Sequence, residues 1–352
     1  MFKPQFTITP AINSQIAEIE KLRTIVDQAN ILPELEVRLR FRATVEAVHS
    51  STSIEGNPLN ELEVQRVLQG NMVSAPDYAI KEVLNYKQAL DWLSQPQRIR
   101  SLLNSQQVLG LHSLVMKGLL PKEKVGSWRP GSVYVVDEVD GKKIVQYTGP
   151  EAKDVPQLVK SFLQWITQQQ QTQLHPVLLA GLIHYIFVSI HPFSDGNGRT
   201  TRLLVQHYLK TVGYDFRDSL SLDGYYLPHR SEYYEALSRG KDFESRMYAD
   251  ITPFLDFFVR GFLVSTQTLS RYIKSGKVLD EQNKPLRLNP EELQLLDYVY
   301  QFDSINVTEA NEILSTTKRT TQRRLMGLVD KKILTVKGKG PATTYVLVSN
   351  EN

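Results

Sequence analysis

Within twelve consecutive residues, His191-Pro192-Phe193-Ser194-Asp195-Gly196-Asn197-Gly198-Arg199-Thr200-Thr201-Arg202, the chain collects an imidazole, a carboxylate, two glycines and two arginines. An imidazole can take up a proton near neutrality. Glycines ahead of a helix start let unpaired backbone N–H groups converge on an anion, phosphate oxygens above all. Arg199 and Arg202 stand three apart, on one face of a first helical turn, where two cations oppose the helix dipole and call for an anion. Asp195 beside such a site is a hard oxygen ligand of the kind magnesium prefers. Taken singly, each residue has an ordinary role: a capping histidine, a turn, a solvated arginine pair. A calcium loop is excluded, because Phe193 and Arg199 would fall on ligand positions. As a group the residues describe a phosphate site with a base at its mouth.

A second group is Ser51-Thr52-Ser53-Ile54-Glu55-Gly56-Asn57. Ser51 and Glu55 are one helical turn apart, and a glutamate in a last turn faces the negative end of the dipole, so it seeks a cation. On its own it also reads as a surface acid at a helix end.

These residues need elements to hold them. Pro33 opens a helix in which Val37, Phe41, Val45 and Val48 share one face, and Glu55-Gly56-Asn57-Pro58 stops it. Helical patterns recur over roughly 60–70, 78–94, 105–119, 153–171, 176–190, 198–212, 231–239 and 250–274. The run Val177 to Ile190 is shorter than the about 20 apolar residues a membrane span needs, so it reads as a buried helix ending at His191. Ser132 to Tyr147 breaks the pattern with two β-rich runs around Asp140-Gly141, a hairpin signal. Such a hairpin must pack on something to be stable.

A length of 352 residues allows two domains. Apolar residues at 41% and charged residues at 22% are ordinary for a soluble globular protein, and a formal net charge of +3 makes no demand for nucleic acid or an acidic membrane. Cysteine is absent, which excludes thiol catalysis, disulfides, Cys-ligated zinc and iron–sulfur clusters and agrees with a cytoplasmic setting. The first residues, MFKPQFTITP, carry no apolar core or cleavage site of a signal peptide. Composition shifts over about 275–289, a linker. Helices at 290–302, 307–315 and about 317–331, then β runs at Ile333 to Lys337 and Thr343 to Val348, read as a winged helix. From Ser315 to Val348 the basic residues Lys318, Arg319, Arg323, Arg324, Lys331, Lys332, Lys337 and Lys339 face only Asp330. That composition fits contacts to DNA phosphates, or a protein-contact or dimerisation module with a solvated basic face.

The run from His191 to Arg202 resembles the complete signature of Fic-domain proteins, His-Pro-Phe-x-Asp-Gly-Asn-Gly-Arg-x-x-Arg; these are nucleotide transferases that mostly adenylylate proteins. The likeness extends over roughly residues 35–270. It implies a mainly α fold: a Fic-type helical bundle with a β-hairpin flap at 132–147, plus a small C-terminal winged-helix domain. The implied division is an N-terminal helical region over 1–100 with an inhibitory motif, a catalytic core over 101–275, and the winged helix over 287–348. The resemblance makes ATP the donor substrate and Mg²⁺ the cofactor. His191 becomes the base for a target hydroxyl attacking the α-phosphate, and Asp195 the metal ligand. Gly196, Asn197 and Gly198 form an anion hole, Asn197 also contacting phosphate; Arg199 and Arg202, with Thr200 and Thr201 beside them, bind phosphates. Tyr225 and Tyr233 fall where relatives build the adenine pocket, although Lys241 stands where some relatives have asparagine. Glu55, with Ser51, resembles the inhibitory Ser/Thr-x-x-x-Glu-Gly/Asn motif, so Glu55 is expected to pair with Arg202 and obstruct the γ-phosphate. Arg129 is expected to hold the flap, whose edge would bind an extended target segment. The acceptor is a Tyr, Ser or Thr hydroxyl of a target protein or of the chain itself. A cytoplasmic homodimer without a membrane is typical of such proteins. The alternative is a DNA-binding winged-helix regulator whose Fic core is regulatory, removes AMP or uses another nucleotide donor.

Overall fold

The apolar run ahead of His191 forms a helix without a solvent face. In the computed structural model, which describes residues 2–29, 31, 33–139, 142–275, 288–302, 304–314, 316–338, 340 and 343–348, this helix spans Pro176–Ile190. All its residues from Val177 to Phe187 are buried, as an all-round apolar helix must be. The elements in chain order are α1 (Pro10–Asp27), α2 (Pro33–Ile54), α3 (Glu61–Leu68), α4 (Asp77–Leu93), α5 (Pro96–Ile99) and α6 (Ser105–Met116). There follow β1 (Tyr134–Val139), β2 (Lys142–Thr148), α7 (Val155–Gln169), the buried α8 (Pro176–Ile190) and α9 (Asn197–Thr211). Then come α10 (Asp223–Tyr226), α11 (Arg230–Leu237), α12 (Phe243–Tyr248) and α13 (Thr252–Ser275). The C-terminal part holds α14 (Pro290–Phe302), β3 (Ile305–Asn306), α15 (Val307–Leu314), α16 (Lys318–Asp330), β4 (Leu334–Lys337) and β5 (Thr344–Leu347). The expected Asp140-Gly141 turn and the expected linker, from 276 to 287, lie outside the described residues.

Met1–Ser270 forms one compact unit and Arg271–Asn352 another. In the first unit α8 and α9 pack together at the centre, with α7 on α8 and with α2, α4 and α6 on α9. Two features differ from the sequence reading. Val37 is 66% exposed, whereas Val45 and Val48, expected on the same face, are buried, and Leu39, Ala43 and Ala47 are buried with them. α1 was not foreseen; Thr9 caps it, Pro10 starts it, and Ile12, Ile19, Leu22 and Val26 are buried. Ile12, Ile16, Ile19, Leu22 and Val26 recur every three or four residues, so the stripe is present in the sequence. In the second unit, Leu295, Val299, Ile305, Leu325, Leu328 and Tyr345 belong to a separate core, and the sheet runs β3-β5-β4, antiparallel throughout. Among the described residues no helix is long and apolar enough to cross a membrane.

Candidate active site

The turn between α8 and α9 carries the first group of residues. His191 ends α8 in the left-handed region (φ 48°), a conformation rare for a residue with a side chain. Three bonds hold it there: its N–H donates to Phe187 O (3.2 Å), Arg129 Nε donates to its carbonyl (2.9 Å), and its Nδ1 lies 3.1 Å from Val188 O. A carbonyl only accepts, so Nδ1 carries the proton and Nε2 is left with its lone pair. Burial pushes the imidazole down to about 4, so it is neutral at pH 7. Phe193 stacks on His112 (3.8 Å) and on Trp128 (5.3 Å). His112 accepts from Gly126 N–H at Nδ1 and donates from Nε2 to Asp195 O, both at 3.0 Å, so the loop is clamped by a neutral ring. Gly196 has φ 76°, and a Cβ there would meet Met116 Sδ at 2.6 Å; only glycine fits.

The Asn197 side chain closes the loop on itself, accepting from Phe193 N–H and donating to Phe193 O, both at 2.9 Å. The side chain of Asn197 is thus engaged within the loop, and its backbone N–H lies at the start of α9. Thr200 and Thr201 are fully buried; the Thr201 hydroxyl donates to Asn197 O (2.7 Å) and the Thr200 N–H to Gly196 O (3.0 Å). The buried Thr200 hydroxyl has no hydrogen-bond partner among the described residues, and the Asn197, Gly198 and Arg199 N–H groups lie in the first turn of α9.

The two arginines are buried and separately paired. Arg202 donates from Nε to Ser51 Oγ (2.7 Å), and from Nη2 to Ser51 O (2.9 Å) and Glu55 Oε1 (2.8 Å); Asp223 Oδ1 stands 4.0 Å from its Nε. Arg199 donates from Nη1 to Glu82 and from Nη2 to Asp195 Oδ1 (3.1 Å). α2 delivers Glu55 because it stops there, with Gly56 at φ 98° turning the chain away. A Cβ added to Gly198 would meet Glu55 Oε1 at 2.3 Å, so this carboxylate lies against the first turn of α9. Burial works against its charge, but Arg202 and Arg199 outweigh it and hold Glu55 below the ordinary carboxylate value. The anion that two cations at a helix start call for is supplied from within the chain.

Sequence reading missed several of these partners. Glu82, Asp223, His112 and Tyr86 each look unremarkable in their own helices, and only tertiary pairing marks them. Tyr86 donates to Asp223 Oδ2 (3.1 Å), and burial pushes Asp223 up to about 6. Tyr233 is buried, stacked on Tyr226, with its hydroxyl 2.8 Å from His184 Nε2; Tyr225 is buried and stacked on His229. Tyr234, the next residue, is 42% exposed, and burial pushes its hydroxyl above the usual value. A cavity of about 170 Å³ runs from Arg202 and Asp223 along α9 to His207 and Lys210, but touches none of His191, Asp195, Gly198 or Arg199.

For magnesium the donor set is spare. Among the described residues no group of three His, Cys, Asp or Glu could hold an ion. Asp195 is 54% exposed on its side chain, with Oδ1 taking the Gly196 N–H and Arg199 Nη2. One carboxylate beside an anion site suits an ion that brings phosphate oxygens and water for its remaining positions, so the residues fit Mg²⁺ arriving with a polyphosphate.

The flap is tied to the same turn. Arg129, buried, also donates from Nη1 to Gly131 O (2.6 Å) and from Nη2 to Pro150 O, joining both ends of the hairpin to His191. The Tyr147 hydroxyl donates to Ser189 O in α8, and Thr148 N–H to Lys241 O (2.9 Å). β1 and β2 pair antiparallel with an irregularity between Val135 and Val136, and Tyr134, Val136 and Val145 are exposed.

Residues 102–209, which include α8 and most of α9, match the model of the Fic/DOC family. The chain is 28% identical over 306 residues to "Protein adenylyltransferase Fic" of Drosophila erecta, covering 84% of this chain and 55% of that protein. The protein of the same name from Nematostella vectensis is 29% identical over 241 residues, 66% of this chain and 49% of its own. The chain thus spans about half the length of the curated relatives it matches. The fold is shared with a Fic family protein of Desulfovibrio desulfuricans G20 (TM-score 0.65, 22% identity, all of both chains). It is shared too with a Fic domain containing signaling protein of Bacteroides thetaiotaomicron (TM-score 0.61, 23% identity, 75% of this chain and 98% of that one).

Proposed function

We propose that this chain transfers AMP from ATP to a hydroxyl side chain of a protein, or of itself, and that Glu55 restrains the reaction. The observation that carries this reading is the Glu55 carboxylate against Gly198 and Arg202, an anion already seated at the start of α9, beside a histidine whose free nitrogen is a base. With Glu55 displaced, the triphosphate would take its place on the first-turn N–H groups, Arg202 and Arg199. His191 Nε2 then accepts the proton of the acceptor hydroxyl as its oxygen bonds to the α-phosphorus. The bond from that phosphorus to the bridging oxygen breaks, and pyrophosphate leaves. Magnesium held by Asp195 would neutralise phosphate charge. The neutral ring supports the base role, and the fixed donors support stabilisation of the transferring group by position and charge.

The test is intact mass after incubation with ATP and Mg²⁺, comparing wild type, Glu55→Gly and Glu55→Gly/His191→Ala. One adenylyl group gained by Glu55→Gly and lost with His191 is the expected result. No adduct on the chain or on any protein of a cell extract sinks the reading. A homodimer, which the resemblance implies, is checked by sedimentation of the same samples.

A second reading concerns residues 288–348. Arg324 pairs with Glu291 and Lys331 with Glu292 (2.6 Å), whereas Lys318, Arg319 and Arg323 are exposed on α16. Three helices followed by β4 and β5 support a winged helix, and the exposed cations on its third helix support contact with DNA phosphates. Retention of the full chain on duplex DNA, falling steeply with salt and lost in Arg319→Ala/Arg323→Ala, is expected; binding without salt dependence would count against it.

A further inference from the structure

Arg199 is held by a buried carboxylate. Glu82, on α4, is buried, and both of its oxygens are used: Oε1 accepts from Arg199 Nη1, and Oε2 accepts from Asn57 Nδ2 (2.8 Å). Asn57 is the second residue after Glu55. It is buried as well, with Nδ2 also donating to Ala79 O (3.0 Å), Oδ1 accepting from Leu59 N–H (3.1 Å), and its N–H on Thr52 O (3.1 Å). The turn that carries Glu55 therefore reaches both arginines, Arg202 directly and Arg199 through Asn57 and Glu82. We propose that Glu82 is a positioning residue for Arg199: it fixes one edge of the guanidinium so that Nη2, which now meets Asp195, faces the phosphates, and Asn57 ties that aim to the inhibitory turn. This rests on the adenylyl-transfer reading of the site.

The physical signature follows from two opposed effects. Glu82 puts a negative charge beside an anion site, so its removal should strengthen anion binding. It also holds a donor in line with charge that develops in transfer, so its removal should slow the chemistry. A glutamine at 82 has nearly the same shape but one acceptor oxygen where glutamate has two, so Arg199 or Asn57 must lose its acceptor. A purely structural contact would instead lower stability and leave the balance between binding and turnover untouched.

The experiment compares Glu55→Gly with Glu55→Gly/Glu82→Gln in the full chain, after circular dichroism shows both folded. Binding of inorganic tripolyphosphate is measured by calorimetry, and kcat and KM for ATP by pyrophosphate release. Expected are tripolyphosphate affinity raised about threefold or more, a lower KM, and kcat reduced about tenfold or more. Affinity unchanged or weaker, or tighter binding with kcat unchanged, overturns the proposal. If Glu55→Gly transfers no AMP at all, the parent reading has failed. The tripolyphosphate comparison then decides for Glu82 alone, an unchanged or weaker affinity again overturning it. If the double variant does not fold, Asn57→Ala in the Glu55→Gly background removes the donor to Glu82 Oε2 instead. It is expected to lower kcat as well as stability, since three buried side-chain hydrogen bonds are lost, and an unchanged kcat overturns the link.

Discussion

His191 combines a strained backbone with a fixed proton. The left-handed φ of 48° puts its ring beside the start of α9, and the Nδ1–H to Val188 O bond chooses which nitrogen is basic. Because burial pushes its pKa from 6.5 to about 4, the neutral form prevails throughout the range where an ordinary histidine titrates. In Glu55→Gly, kcat should hold level from pH 8 down to about 5 and fall only below that; a limb centred at 6.5 would contradict it. Gly198 makes a second prediction. A Cβ there enters the space of Glu55 Oε1, so Gly198→Ala should break the Glu55–Arg202 bond. The added methyl occupies the anion's own place, so the variant should stay as inactive as wild type, unlike Glu55→Gly. Adduct formation by Gly198→Ala in the intact-mass assay would contradict this.

Elements hold these residues by long-range bonds. Arg129 joins the catalytic turn to both feet of the β1–β2 hairpin through three carbonyls, and its substitution by alanine leaves those acceptors unpaired at a buried place. Arg129→Ala should cost about 3 kcal/mol, since hydrogen bonds to charged groups are worth about 1.5–3 kcal/mol each and partly recover with water. Amide exchange should quicken across 134–148 far more than in the centre of α8, and equal changes in both would argue against a flap anchor. The hairpin and α8 were legible in the sequence because alternation and an unbroken apolar run are local signals. Glu55 and the His191–Arg202 run were legible because a short motif carries them whole. Glu82 and Asp223 were not, since each depends on a partner more than twenty residues away. α2 shows the same limit at its start: Val45 and Val48 of its stripe are buried, Val37 is not, and the buried Ala43 and Ala47 lie between them.

For the whole molecule, the neutral histidines set the response to acid. His112, His184 and His191 are brought to about 4, about 3 and about 4 by burial, below the ordinary 6.5. Between those values the unfolded chain takes up protons that the folded chain refuses, so stability rises with pH across about 4 to 6.5 and is fully present above. Asp223 acts in the opposite sense: its carboxyl, raised from 3.8 to about 6, keeps a proton in the fold, so its contribution falls as pH rises through about 4 to 6. His49, His175 and His207, all lowered, stand against Glu46, Glu82 and Asp215, all raised. Three histidines against one aspartate leave a net difference of about two protons near pH 5, worth roughly 2.7 kcal/mol per pH unit. Trp92, Trp128 and Trp165 are the only tryptophans, and all lie in the first compact unit, so their fluorescence follows that unit even in the full chain. The urea midpoint by tryptophan fluorescence should therefore drop steadily from pH 6.5 to 4.5 and stay level from 7 to 8. His112→Asn, which removes one of the three groups, should flatten the slope even where it lowers the midpoint at every pH. A midpoint independent of pH between 6.5 and 4.5 would mean that the protons these rings refuse are balanced by protons that raised carboxyls such as Asp223 keep, or that the rings titrate at their ordinary value.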